Sequence, residues 1–205
     1  MKVKYQKPRR ILCIGSFGYN SAMSNLLLIK HALPIVQPAI PAQFWKLSQD
    51  GLLSCQQFSQ QLRAFNLQTI YSSDEPKAVQ TAHELGKLLN LSVSQAKGLH
   101  EHRRLTSDYF EHRADFESAV QAFFDNPNIR VFGAETAAQA LSRFHAAVST
   151  IVSAHPRQDV AIVSHGTVIT LLVAKHNSIN AFKFWQELNL PDLVCLTLPD
   201  FLYNQ

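Results

Sequence analysis

Apolar runs recur along the chain at Asn25 to Ile29, Leu67 to Tyr71, Leu91 to Ser94, Val160 to Val163 and Leu193 to Leu198. The first and fourth (NLLLI and VAIV) are short and rich in branched residues, as a strand buried on both faces should be. Between the runs the period changes to that of a helix. Gly51 to Phe65 puts Leu52, Cys55, Phe58 and Leu62 on one face, with Ser48 placed to cap its start. Glu75 to Leu89 carries Pro76 at an early position, where a missing N–H costs nothing. A third helix is predicted from about Arg113 to Phe124. The fourth opens on a capping box, Thr136 with Gln139, keeps Leu141, Phe144, Val148, Ile151 and Val152 at helical spacing, and ends before Pro156. Further helices are predicted after Gly166 and over Ala181 to Leu188. Strands alternating with helices predict a three-layer α/β/α sandwich around a mostly parallel central sheet.

Charge changes this picture only at one end. The 205 residues hold 19 Lys and Arg against 15 Asp and Glu, a net charge of +4. Lys2, Lys4, Lys7, Arg9 and Arg10 all fall in residues 1–22, which contain no acid; from Met23 onward 14 basic residues face 15 acidic ones. A body without basic excess removes the main support for nucleic-acid binding. Residues 1–22 lack helical or strand periodicity, and their apolar patch, Ile11 to Gly15, is too short for a signal-peptide core. They read as a disordered tail or a mis-assigned start ahead of Met23, leaving residues 23–205 as one domain. Cys13, Cys55 and Cys195 form no CxxC pair and fit a reduced cytosolic protein better than a disulfide framework. No apolar stretch approaches the roughly 20 residues of a membrane span. A soluble cytoplasmic protein, with no membrane or nucleic-acid partner, is the expectation.

The chemistry-bearing residues stand where strands end. Lys30 and His31 follow the first run; Ser72, Ser73 and, a helical turn on, Lys77 follow the second; Glu101 comes after the third; His165 and Gly166 follow the fourth. In an open α/β sheet those carboxyl ends share one crevice, so His31 and His165, 134 residues apart, are predicted to meet there. Two imidazoles, two ammonium groups and one carboxylate suit phosphoryl transfer without a metal or other cofactor. His31 is the candidate nucleophile, kept neutral by neighbouring cations. Lys30, Lys77, His165 and the helix N-terminus at Gly166 are candidates to neutralise the phosphoryl oxygens. Glu101 is the candidate to give a proton to the leaving alkoxide and later take one from water.

Several stretches, taken in order, resemble the histidine phosphatase superfamily, also called phosphoglycerate mutase-like: LLLIKHALP (26–34), LSQDG (47–51), IYSSDEPKAVQTA (70–82), LHE (99–101), AET (134–136) and VSHG (163–166). The resemblance spans Leu26 to Leu198. It implies His31 as the phosphorylated nucleophile, Lys30, Lys77 and His165 as the phosphate pocket, and Glu101 as proton donor. It also implies hydrolysis of a phosphomonoester through a phosphohistidine, with a small phosphorylated molecule or a phosphoprotein as partner. Lys30 and Lys77 replace two family arginines, and Ala32 replaces a glycine, giving Lys-His-Ala where the family has Arg-His-Gly. Lysine keeps the charge but loses the bidentate grip. The alternatives are a phosphate-ligand binding or regulatory protein with little or no turnover, or a phosphomutase.

Other readings attach to the remaining polar residues. His100, His102 and His112 with Glu101 and Asp108 offer a metal site, against the plainer reading of surface histidines. Arg103 and Arg104 would meet an anionic substrate tail or form a solvated pair. Asp108 and Glu111 rival Glu101 as the carboxylate. Ser72 and Ser73 read as turn and cap residues. Phe110, Phe116, Phe123 and Phe124 divide between core and pocket wall, and His83, His145, His155 and His176 need no role.

Overall fold

The computed structural model describes residues 24–104 and 109–203. The expectations for residues 1–22, Cys13, Met23 and Asp108 lie outside them. The described strands are β1 (Ser24–Lys30), β2 (Leu67–Ser72), β3 (Ser92–Gln95), β4 (Asp159–Ser164), β5 (Asp192–Leu198) and β6 (Leu202–Tyr203). The helices are α1 (Gln49–Leu62), α2 (Pro76–Leu89), α3 (Arg113–Asp125), α4 (Ala137–Ala154), α5 (Gly166–His176) and α6 (Ala181–Glu187). A 3-10 turn at Ala42–Phe44 and the bridge Pro34 to Leu47 had no counterpart in the pattern.

The strands form one mixed sheet in the order β3-β2-β4-β1-β5-β6. Side chains of β1 alternate between its faces. Leu26 and Leu28 join a core with α4 and α5, built around Phe123, Phe144, Val148 and Leu172, while Leu27 and Ile29 join Cys55, Phe58 and Leu62 of α1 and Leu85 of α2. Two helical layers thus cover the sheet, and β1, buried on both sides, needs its unbroken apolar run. Truncating one of the large buried aromatics, such as Phe144, costs about 3–5 kcal/mol.

Helix starts follow the capping expectations. Ser48 Oγ accepts the Gly51 N–H at 3.0 Å, and Thr136 and Gln139 cap each other reciprocally. α1 begins two residues before its predicted start and ends three residues early at Leu62, where Arg63 closes the helix with a hydrogen bond to the Gln60 carbonyl.

The sheet is mostly parallel, as expected, and changes direction on one side. β1, β2, β3 and β4 pair in parallel, but β5 runs antiparallel to β1, with Asp192 opposite Lys30, and β6 antiparallel to β5. The physical reason lies in α6. After α5 leaves the end of β4, α6 brings the chain back to the carboxyl end of β1, where the Leu188 carbonyl meets Lys30, so β5 can only run away from there. Cys55 is a free buried thiol. Among the described residues no helix is long and apolar enough to cross a membrane.

Candidate active site

His31 follows β1 directly, and its N–H still donates to the Ser164 carbonyl at 3.0 Å. The segment beyond it is moored by α2. The Ala32 N–H donates to Thr81 Oγ1 at 3.0 Å, that hydroxyl donates to the Lys77 carbonyl, and the Leu47 N–H donates to Gln80 Oε1 at 2.7 Å. α1 closes so tightly on the same segment that a Cβ added at Gly51 would lie 2.3 Å from the Leu33 carbonyl oxygen. The stretches LSQDG and QTA thereby gain a physical meaning, since they fix the turn that carries His31.

The ring of His31 is held in one tautomer. Its Nδ1 lies 2.8 Å from the Ala32 carbonyl oxygen. A carbonyl only accepts, so Nδ1 carries the proton and Nε2 keeps its lone pair. Burial, then the nearby His165 and Lys77, push the pKa of His31 well below 6.5, which keeps Nε2 unprotonated at neutral pH.

His165 ends β4 and caps α5, with its ring centroid 5.2 Å from that of His31. Its Nε2 lies 2.9 Å from Ser73 Oγ, which already accepts the Glu75 N–H at 3.2 Å. The Ser73 hydroxyl keeps a second lone pair and its hydrogen, so it can serve either tautomer of the ring. Burial and Lys77 hold the His165 pKa well below 6.5, so the ring is neutral. Nδ1 is buried without a hydrogen-bond partner among the described residues. A buried ring nitrogen left over in this way marks a place for a ligand atom.

Around the histidines stand the predicted cations. Lys77, in the first turn of α2 with 7% of its side chain exposed, donates to the Ala42 carbonyl at 2.8 Å and pairs with Glu75. Lys30 donates to the Leu188 carbonyl at 3.0 Å, and its methylenes run past Gly166, where an added Cβ would meet Cε at 3.3 Å. Small residues at this helix start let the lysine lie close to the backbone.

Among the described residues, main-chain groups hold the Glu101 carboxylate. Its Oε1 accepts the His102 N–H at 2.9 Å and its Oε2 the Thr167 N–H at 3.2 Å, in the first turn of α5. Burial pushes its pKa up, but His165, Arg104 and the His102 amide outweigh that and bring it below 4.5. Glu101 is therefore a carboxylate at rest.

Lys30, His31, Lys77, Glu101 and Gly166 line a cavity of about 740 Å³, with the fully buried His165 ring behind that lining. Phe44, Trp45, Phe116, Trp185, Arg103 and Arg104 form its walls. The Arg104 guanidinium lies over the Phe116 ring, 4.7 Å from its centroid.

The other predicted residues separate. His100 Nδ1 bonds to the Glu101 carbonyl, whereas His102 is buried between Phe123 and Phe132 and donates from Nε2 to the Glu135 carbonyl, so the two rings serve different ends. Among the described residues no group of three or more His, Cys, Asp or Glu is arranged to hold a metal ion. Glu111 is exposed and His112 precedes α3. Of the phenylalanines, Phe123 is core and Phe116 is pocket wall, as the split between the two roles required.

Two groups were missed. Glu75 binds Lys77 through Oε2, while its Oε1 accepts the Glu101 N–H at 2.8 Å and stands 3.6 Å from His165 Nε2. An acid just before a helix reads as a capping residue, and nothing local marks it further. Ser73 keeps its turn role but also fixes His165. Glu135 and Arg143 form a buried pair behind Glu101; only the AET stretch pointed to it.

No curated protein sequence matches this chain. Among solved structures, a mycobacterial hydrolase superposes with a TM-score of 0.71 at 19% identity, covering 89% of this chain and 88% of its own. The phosphoglycerate mutase of Bacillus anthracis superposes at 0.68 and 19% identity, covering 90% and 92%. A mycobacterial glucosyl-3-phosphoglycerate phosphatase superposes at 0.68 and 20% identity, covering 85% and 90%. These likenesses establish the shared fold. The sequence model described as histidine phosphatase superfamily (branch 1) matches residues 44–202, most of the chain, beginning just past the His31 turn. With that match and this fold, the chain belongs to the histidine phosphatase superfamily.

Proposed function

We propose that the protein is a metal-independent phosphomonoester hydrolase that acts through a phosphohistidine on His31. The observation that carries this reading is the pair of opposed rings: His31 offers a lone pair at Nε2, and His165, 5.2 Å away, has a buried Nδ1 with no partner among the described residues, able to donate to a phosphoryl oxygen when it carries the ring proton. One can attack phosphorus while the other neutralises its oxygens. Lys30, Lys77 and the amides at the start of α5, from Gly166 on, add positive potential to the same end of the cavity.

In the first half-reaction Nε2 forms a bond to phosphorus as the P–O bond to the leaving group breaks, and the departing oxygen takes a proton from Glu101. Glu101 is a carboxylate at rest, and the negative charge of an arriving phosphate raises its affinity for the proton it must deliver. In the second half-reaction Glu101 takes a proton from water, the oxygen attacks phosphorus, the N–P bond breaks, and free phosphate leaves with His31 restored. The aromatic walls and the cavity volume favour a small phosphorylated molecule with a sizeable leaving group.

Rapid quenching with a labelled aryl phosphate tests the proposal. The expected result is acid-labile phosphate on His31, lost together with turnover in His31→Ala; turnover that survives in that variant overturns it.

A second reading rests on the lysines. Lys77 is engaged by Glu75 and Ala42, and Lys30 by Leu188, so each grips a bound anion less firmly than a bidentate arginine. A binding or regulatory protein would hold phosphate tightly at this site and leave His31 unlabelled. A phosphomutase would label His31 but return the phosphoryl group to an alcohol.

A further inference from the structure

Arg143, on α4, makes five hydrogen bonds, as many as a guanidinium has N–H groups. NH1 donates to the carbonyls of Gly98 at 2.8 Å and His100 at 2.9 Å, and NH2 to that of Glu101 at 3.2 Å. The remaining two reach Glu135, NH2 to Oε1 at 2.6 Å and Nε to Oε2 at 3.3 Å. Glu135 then extends the grip, because its Oε1 also accepts the Arg103 N–H at 3.0 Å. Every residue bound is part of the irregular segment that carries Glu101, or is tied to it.

That segment has no helix or strand of its own to fix it, running from the left-handed Gly98 (φ +88°) to Arg104. Ser164 Oγ and the Ala134 N–H hold its Leu99 and Arg103 carbonyls, and Arg143 holds those of Gly98, His100 and, together with His100 Nδ1, Glu101. A rigid planar fork holding three successive parts of the loop sets the path of the backbone. The backbone path in turn sets where Glu101 puts its carboxylate against the His102 and Thr167 amides.

We propose that Arg143, held by Glu135, is a positioning residue: by clamping the carbonyls of Gly98, His100 and Glu101 it fixes the Glu101 carboxyl for proton transfer to the leaving oxygen. The proposal rests on the reading of Glu101 as proton donor in the hydrolase. Arg143 touches neither substrate nor His31. Its effect is felt wherever the reaction depends on a well-placed proton and is small where the leaving group departs without one.

Phenyl phosphate and p-nitrophenyl phosphate differ in that respect and little in shape. kcat/KM covers the steps up to formation of the phosphohistidine, so it isolates the half-reaction in which Glu101 gives its proton. Glu101→Gln sets the benchmark, with phenyl phosphate losing at least about tenfold more than p-nitrophenyl phosphate. Arg143→Lys, which keeps the charge but loses the fork, is expected to show the same selective loss, about tenfold on phenyl phosphate and under about threefold on p-nitrophenyl phosphate. Glu135→Gln keeps the shape and is expected to follow in the same direction with a smaller loss. It carries the test if thermal melting shows that Arg143→Lys does not fold.

Equal losses on both substrates in the folded variants overturn the positioning role while leaving the hydrolase intact. A Glu101→Gln variant without leaving-group selectivity overturns the proton role of Glu101, and this proposal with it. A wild-type protein that turns over neither substrate overturns the hydrolase reading itself.

Discussion

At the inner end of the cavity each functional group is held by the main chain or by a buried partner. The Ala32 carbonyl fixes His31, two amides fix Glu101 and Ser73 fixes His165. Along the wall from Pro41 to Trp45 the chain does the reverse. Phe44 is 54% exposed, and the Trp45 indole N–H, donating to the Gln37 and Ile40 carbonyls, gathers the preceding loop from one side. Groups that must meet phosphorus and a moving proton lose effect when displaced by an ångström. Apolar groups along a wall lose nothing by being adaptable and gain by covering whatever enters. The inner end should therefore govern turnover, and this wall should govern which leaving groups are held and how tightly.

The comparison breaks first at His165. His165→Ala removes a buried ring nitrogen that has no partner among the described residues, and kcat/KM is expected to fall about 10²–10³-fold while the circular dichroism spectrum is unchanged. A loss under tenfold in steady-state assays would show that the second imidazole is not part of the phosphate pocket. The next effect is on stability. His31 and His165 have pKa values depressed below 6.5 in the folded protein, so the unfolded chain binds their protons first as the pH falls. Their contribution is complete above pH 6.5 and is lost as the pH falls from there toward the folded values. Tm should drop on going from about pH 7.5 to about pH 5, and His165→Gln should flatten the slope; a Tm that is level or rising over that interval contradicts the neutral, buried pair. The smallest effect sharpens the contrast. Phe44→Ala is expected to raise KM for an aryl phosphate about threefold with kcat within about twofold, the cost of losing part of one apolar contact. A matching fall in kcat would mean that the wall also shapes the chemistry.

Much of this layout could be read from local pattern. The apolar runs placed β1 to β5 because strand burial is written in the side chains of the strand itself, and the Thr136 and Gln139 capping box marked α4 in the same way. The direction of β5 was not legible, since it depends on where α6 delivers the chain rather than on anything in Leu193 to Leu198. The meeting of His31 and His165 followed from a rule about strand ends, which β1 and β4 obey as parallel neighbours. Glu75 and Arg143 stayed hidden for a common reason. Each looks like an ordinary surface charge within its own helix or turn, and each acquires its role from partners 26 and 42 residues away. Arg143 stands beside Phe144 in an amphipathic helix, where a basic residue normally faces water.

The order of the sheet also bears on how the molecule comes into being. β1 lies between β4 and β5, so its hydrogen-bonding neighbours, Asp159–Ser164 and Asp192–Leu198, are synthesised more than a hundred residues after it. While the ribosome works through the middle of the chain, an apolar strand ending in His31 has no permanent neighbour and must be kept from pairing with others of its kind. The earliest strand of the described sheet is thus among the last to be secured, and a nascent chain that stops short of Asp192 has His31 but no finished site around it.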